Sequence, residues 1–121
     1  MTEGMLAGRV ALITGAGHGI GRATARRMAA MGAIVGINDL KPEFVAEAVA
    51  EIEAAGGRAI GVVRNVASRE GMRSAVLELA EQAGRFDILV NNAAWVRYQP
   101  LAEIAPETVD RMLEVGFKSV I

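Results

Sequence analysis

Apolar residues fall along this chain in two alternating patterns. Four short runs, Val10 to Thr14, Ile34 to Asn38, Ala59 to Val63 and Phe86 to Asn91, are apolar at nearly every position. Runs of that length and composition predict buried strands. Between them the apolar positions return every three or four residues, the spacing of one helix face. The first such stretch runs from Gly19 to Met31, with Ala25, Met28 and Ala29 on one face and Gly32 as its stop. The second opens at Pro42, a residue suited to a first helical turn, repeats Val45, Ala48, Val49 and Ile52, and breaks at Gly56 and Gly57. The third follows Ser68, a candidate N-cap, and carries Met72, Ala75, Val76, Leu79 and Ala80 to a stop near Gly84. Pro100 and Pro106 bracket a short acidic connection into a last helix.

Strands that are apolar on both faces need cover on both faces, and helices with a single apolar stripe supply it. The alternation therefore predicts an α/β fold, a doubly wound parallel sheet in a three-layer αβα arrangement with right-handed crossovers. No internal repeat, low-complexity tract or Ser/Pro-rich linker interrupts residues 1–121, so they read as one domain.

Composition narrows the function classes. Thirteen basic and fourteen acidic residues nearly cancel without forming a long run of either sign, which argues against nucleic acid or an anionic membrane as a partner. The sequence has no cysteine, so disulfides, thiolate catalysis and cysteine-based metal sites are excluded from it, and no metal ligand set is expected. His18 is the sole histidine. No apolar stretch reaches the roughly 18 residues of a spanning helix, and the opening residues lack a long apolar signal-peptide centre, so a cytoplasmic protein is expected.

The stretch Thr14-Gly15-Ala16-Gly17-His18-Gly19-Ile20-Gly21 joins the first strand to the first helix, and four of its eight residues are glycine. Such a cluster lets the chain turn sharply and bring bare backbone against a ligand at the positive end of the helix, where pyrophosphate is favoured. The alternative is an ordinary turn, which needs one glycine and seldom three more. The frame is Gly15-x-x-x-Gly19-x-Gly21, with Ile20 standing where a G-x-G-x-x-G frame counted from Gly15 would need its third glycine.

With this motif the chain resembles the short-chain dehydrogenase/reductase family, whose cofactor loop reads TGxxxGxG and whose fourth strand closes with NNAG. The second motif stands here as Asn91-Asn92-Ala93-Ala94, differing only at Ala94. The likeness covers the whole chain and implies a Rossmann-type, dinucleotide-binding fold. It implies cofactor contacts from Thr14, Gly15, Gly17, His18, Gly19, Ile20 and Gly21. Asn91 is expected to tie the central sheet together, and Asn92, Ala93 and Ala94 to lie along the cofactor ribose. Asn65-Val66, after the third strand, resembles the family's Asp-Val pair, whose polar side chain faces the adenine amino group while the aliphatic residue packs on the ring. Asn65 can accept that bond through its amide oxygen, or it can make a local turn.

Asp39 closes the second strand, with Leu40 beside it. A carboxylate there can accept hydrogen bonds from the adenosine ribose and repel a 2′-phosphate, which selects NAD over NADP. The alternative is a cap for the helix that begins near Pro42. Lys41 nearby weakens the exclusion of NADP, and His18 occupies the loop position where NADP-preferring relatives often carry Arg or Lys.

The family resemblance implies hydride transfer between the nicotinamide cofactor and an alcohol or carbonyl substrate. A tyrosine serves as general acid/base, with a lysine and a serine, from a Ser and Tyr-x-x-x-Lys segment downstream of NNAG. The sole tyrosine, Tyr98, has Ala102 four residues later and is not that tyrosine, so no catalytic residue is assigned. With Trp95, Val96 and Arg97 it lies in a loop that borders the substrate in relatives, or packs on the rim. Gly116 stands where the family's helix after strand four carries a further asparagine. Ile121 falls inside an apolar helical pattern without a stop signal, so the domain is expected to be incomplete at its C-terminus, truncated after the fourth strand and its following helix. Strand four and Leu113, Val115, Phe117 and Val120 would then be left partly uncovered, and a homo-oligomer is expected. The competing reading is a non-catalytic dinucleotide-binding module or pseudoenzyme that pairs with another chain. A purely structural domain with an empty glycine loop is a third.

Overall fold

The computed structural model describes residues 4–95 and 99–117. Along the chain run β1 (Val10–Ile13), α1 (Gly19–Ala30), β2 (Ile34–Asp39), α2 (Pro42–Ala54), β3 (Arg58–Val63), α3 (Arg69–Ala83), β4 (Ile88–Val90), a 3₁₀ turn (Leu101–Glu103) and α4 (Pro106–Gly116). The strands form one parallel sheet in the order β3-β2-β1-β4. The order reverses at β1, so a crevice opens beyond the carboxyl ends of the strands, where ligands of open α/β sheets bind. This is the doubly wound, Rossmann-type architecture that the alternating patterns predict.

Strand periodicity divides the core into two layers. Ala11 and Ile13 of β1 and Val35 and Ile37 of β2 meet Ala25 and Ala29 of α1 and Val45, Ala48 and Ile52 of α2. Val10, Leu12, Ile34 and Val62 point the other way and meet Ala75 and Leu79 of α3. Every β1 residue is fully buried, which is why that run shows no polar alternation. Gly36 extends this fit: a Cβ on it would stand 2.7 Å from Leu79 Cδ2, so the missing side chain is the socket for Leu79. Burying a leucine of this kind contributes about 1.5–3 kcal/mol.

Local signals fix the helix ends. The Ser68 hydroxyl accepts from the Gly71 amide at 3.0 Å, and Gly84, at φ +85°, ends α3 in a left-handed C-cap. Across the surface of α1 and α2, Arg22 Nε donates to Glu51 Oε1 at 2.9 Å and Arg26 Nη1 to Oε2 at 3.1 Å. Arg22 in particular holds the Glu51 carboxyl below its ordinary range. Exposed pairs of this sort contribute little to stability.

Strand four is shorter than its apolar run suggests. Phe86 turns into the α3 layer, and Asp87 acts as a clamp at the sheet's lower end. Its Oδ2 accepts from the Val10 amide at 2.9 Å, while its amide donates to the Val10 carbonyl at 3.0 Å. Arg85 grips both carboxylate oxygens, at 2.8 and 2.7 Å. The Arg85 guanidinium, with help from the Val10 amide, holds the Asp87 carboxyl below its ordinary range. A lowered carboxyl contributes stability that is present above its ordinary range and is lost as pH falls through the native value. Urea unfolding from about pH 6 to about pH 3 should therefore show a steeper loss of stability in the native sequence than in Asp87→Asn. Parallel profiles would remove Asp87 from the acid response.

Candidate functional site: a glycine-lined crevice

The crevice starts from the turn after β1. Thr14 is 1% exposed, and its hydroxyl accepts from the amides of Asn92 and Ala93, both at 2.9 Å. The Asn92 side-chain amide donates back to the carbonyls of Thr14 at 3.1 Å and Gly15 at 3.2 Å. The end of β1 and the chain leaving β4 are thus stitched together around one buried hydroxyl. The sheet tie expected of Asn91 is made by Asn92, while Asn91 is exposed. β4 ends at Val90, and the bond network starts two residues later, so the second asparagine is the one turned toward Thr14.

The four glycines have different physical reasons. Gly15 and Gly19 hold positive φ, +65° and +60°, and so turn the chain into α1. At Gly17 a Cβ would stand 2.7 Å from Phe44 Cβ and 2.8 Å from Asp39 Oδ2. At Gly21 it would strike the Asn92 amide and stand 2.5 Å from the Gly15 carbonyl oxygen. Both are packed against the protein's own atoms. Only at Gly19, among the four, does nothing lie within 4 Å of the added atom. Residue 19 begins α1, and His18, its N-cap, makes no side-chain cap bond. The helix start therefore has no side-chain cap on its positive end.

Asp39 is not a helix cap. Lys41 occupies the N-cap of α2 without a side-chain bond. The Asp39 carboxylate instead accepts from the Gly17 amide at 3.0 Å through Oδ2 and from the Leu40 amide at 2.8 Å through Oδ1. His18 Nδ1 lies 3.4 Å from the same Oδ2, so the glycine loop wraps the end of β2.

One cleft is lined by Gly15, His18, Asp39, Leu40, Asn65, Val66, Ala93 and Ala94, with Asn38, Arg64, Ala67 and Val115 added from outside the sequence-derived set. A second, adjoining cleft is lined by Gly15, His18, Gly19, Ile20, Asn92, Ala93 and Ala94. Thr14, Gly17 and Gly21 line neither and stand behind the loop as its support. A larger surface groove between the C-terminal ends of α1 and α2, around Ala29, Ile52 and Gly57, lies at the opposite end of the sheet.

Asn65 makes the local turn, its Oδ1 accepting from the Ala67 amide at 2.9 Å, which leaves the second lone pair of that oxygen. Asn38 shapes the site although no sequence motif marks it. It is 1% exposed, and its amide donates to the carbonyls of Val62 at 2.9 Å and Arg64 at 3.0 Å, fixing the exit of β3. Its own carbonyl accepts from the Ala16 amide at 2.7 Å. A polar residue within an otherwise apolar run was the available signal. Arg64 Nε is held by Glu78 Oε1 at 3.0 Å. Trp95 is met by α4, with Arg111 Cζ 4.3 Å from its ring centroid. Gly116 is exposed at the end of α4, with nothing within 4 Å of an added Cβ. Val96, Arg97, Tyr98 and Val120 lie outside the described residues. Among the described residues no helix is long and apolar enough to cross a membrane.

A parallel β3-β2-β1-β4 sheet with a glycine turn at its switch point defines a Rossmann-type nucleotide-binding fold. The short chain dehydrogenase family matches residues 9–121, and the chain belongs to that family. It is similar to L-2,3-butanediol dehydrogenase of Corynebacterium glutamicum, at 38% identity over 114 residues, 93% of this chain and 44% of that protein. A short chain dehydrogenase from Burkholderia cenocepacia J2315, solved in complex with NADP, superposes with a TM-score of 0.88 at 42% identity, covering 95% of this chain and 47% of that one. A 7α-hydroxysteroid dehydrogenase solved with NADH superposes with a TM-score of 0.87 at 32% identity, covering 94% of this chain and 44% of that one. The chain spans less than half the length of the curated relatives it matches.

The division of labour among the glycines predicts an order of stability. Gly17→Ala and Gly21→Ala overpack the loop and should each cost about 1–3 kcal/mol in urea unfolding. Gly19→Ala, with open space in front of it, should cost only the left-handed backbone term of about 1–2 kcal/mol. Gly21→Ala, which meets a backbone carbonyl, should be the most damaging, and a ranking with Gly19→Ala worst would contradict these roles.

Proposed function

We propose that this chain is the cofactor-binding portion of an NAD-dependent oxidoreductase that transfers hydride between nicotinamide and an alcohol or carbonyl substrate. The carrying observation is the Asp39 carboxylate, fixed by the Gly17 amide at 3.0 Å beside an uncapped, glycine-lined helix start. The pyrophosphate sits at Gly15 to Gly21, where the open space before Gly19 and the α1 dipole suit an anion. Asp39 and Leu40 take the adenosine ribose hydroxyls. Asn65 and Val66 wall the adenine, and Asn92, Ala93 and Ala94 lie along the second ribose.

NAD supplies the hydride acceptor when bound, and the described residues supply its binding and orientation. The fixed negative charge of Asp39 supports NAD over NADP, because a 2′-phosphate would have to sit against it. The general acid/base pair of the family, Tyr-x-x-x-Lys, is not among these 121 residues, so the chain by itself should show no dehydrogenase activity. Homo-oligomerisation belongs to the same proposal.

Isothermal calorimetry with NAD and NADP tests the assignment. Gly19→Val, which fills the open space, should abolish NAD binding, and a folded Gly19→Val protein with unchanged affinity would refute the pyrophosphate site. Asp39→Ala should lose about 1.5–3 kcal/mol of NAD affinity and narrow the gap to NADP. If the ratio of the two affinities stays the same, Asp39 is only a tether for the glycine loop.

A further inference from the structure

The loop after β3 is held from several sides at the edge of the cleft. The Arg64 carbonyl accepts from Asn38 Nδ2 at 3.0 Å, and the Arg64 side chain is committed to Glu78. Gly71, in the first turn of α3, packs so closely that a Cβ on it would strike the Asn65 carbonyl oxygen. Asn65 Oδ1 accepts from the Ala67 amide at 2.9 Å, and that donor settles which end of the side-chain amide is oxygen and which is nitrogen. Asn65 Nδ2 has no acceptor among the described residues. Asn65 lines the cleft together with Leu40 and the buried Val66, apolar side chains suited to the faces of a flat ring. It therefore offers a ligand there a fixed, uncharged edge with one donor group, Nδ2, beside one acceptor, the second lone pair of Oδ1.

We infer that Asn65 reads the substituent at position 6 of the purine and serves two chemistries there: it takes a 6-amino group through Oδ1 and donates to a 6-oxo group from Nδ2, so the site accepts a hypoxanthine dinucleotide as well as NAD. The inference rests on the dinucleotide-binding reading above and concerns the base alone. A 6-amino group is a donor and a 6-oxo group an acceptor. An acceptor-only side chain such as a carboxylate serves the first and repels the second. The primary amide meets either, because the ring has to move only between two neighbouring atoms of one group. Leu40 and Val66, being apolar, hold the ring faces without fixing which of the two atoms it meets.

The test is calorimetry of the 121-residue chain with NAD and with nicotinamide hypoxanthine dinucleotide, which carries a 6-oxo group and a proton on N1 in place of the 6-amino group. The native sequence, Asn65→Asp and Asn65→Leu are compared, with circular dichroism to confirm folding. The native protein should bind the two dinucleotides within about threefold of each other, since each makes its bond to the amide. Asn65→Asp keeps an acceptor for the Ala67 amide and removes only the donor, so its preference for NAD over the hypoxanthine dinucleotide should widen by about tenfold. Asn65→Leu, of similar size and without polar atoms, should weaken both. The same affinity ratio in the native protein and Asn65→Asp would overturn the inference while leaving NAD binding intact, and so would unchanged affinities for both ligands in folded Asn65→Leu. A tenfold preference for NAD already in the native protein would reduce Asn65 to an acceptor and overturn it as well. Failure of the folded native protein to bind either dinucleotide would overturn the dinucleotide reading and this inference together.

Discussion

The structure depends on one buried hydroxyl. Thr14 lies where β1, buried on both faces, must end and release its chain into a turn, and a polar atom with no solvent needs partners there. It finds them in the consecutive amides of Asn92 and Ala93, which belong to the neighbouring strand's exit. That junction sets the height at which β1 and β4 stop relative to each other. It presents Asn92 to the Gly15 carbonyl and leaves the crevice floor lined by Ala93 and Ala94. The glycine loop on one side and the β4 exit on the other share this anchor, and neither would hold its path if the hydroxyl were replaced by a methyl group.

A second anchor sits on the other flank. Asn38 uses its main chain to hold Ala16 and its side chain to hold the carbonyls of Val62 and Arg64, so the glycine loop and the exit of β3 are fastened to one residue. Asp39, next in sequence, then reaches the Gly17 amide. The cleft is consequently bounded by short polar contacts among its own walls, and the side chains facing its opening are set by the ends of three parallel strands.

The fold was legible because its causes are local. Strands covered on both faces write themselves as unbroken apolar runs, and Pro42, Ser68 and Gly84 mark helix ends by chemistry that acts within a turn. Sequence patterning failed where the deciding partner is distant. The apolar run of strand four hid the fact that Asp87 turns to Val10 and Arg85, which shortens the strand to Ile88–Val90. For Asp39, capping and facing the cleft were both open, because its partner at Gly17 lies far back in the chain. Of the two adjacent asparagines, only the strand's end point decides which one meets Thr14. Arg64 and Val115 reach the cleft through the packing of α3 and α4, which no motif encodes.

The glycine loop has a consequence for how such sequences diverge. Three of its four glycines, Gly15, Gly17 and Gly21, are demanded by the chain's own atoms, whereas Gly19 alone faces empty space. A lineage that gave up its nucleotide would be free to replace Gly19 at modest expense, yet selection for folding would keep the other three in place. Much of the motif is therefore a record of ancestry in the architecture, and the residue that reports whether a descendant still has a ligand is the single glycine that touches nothing.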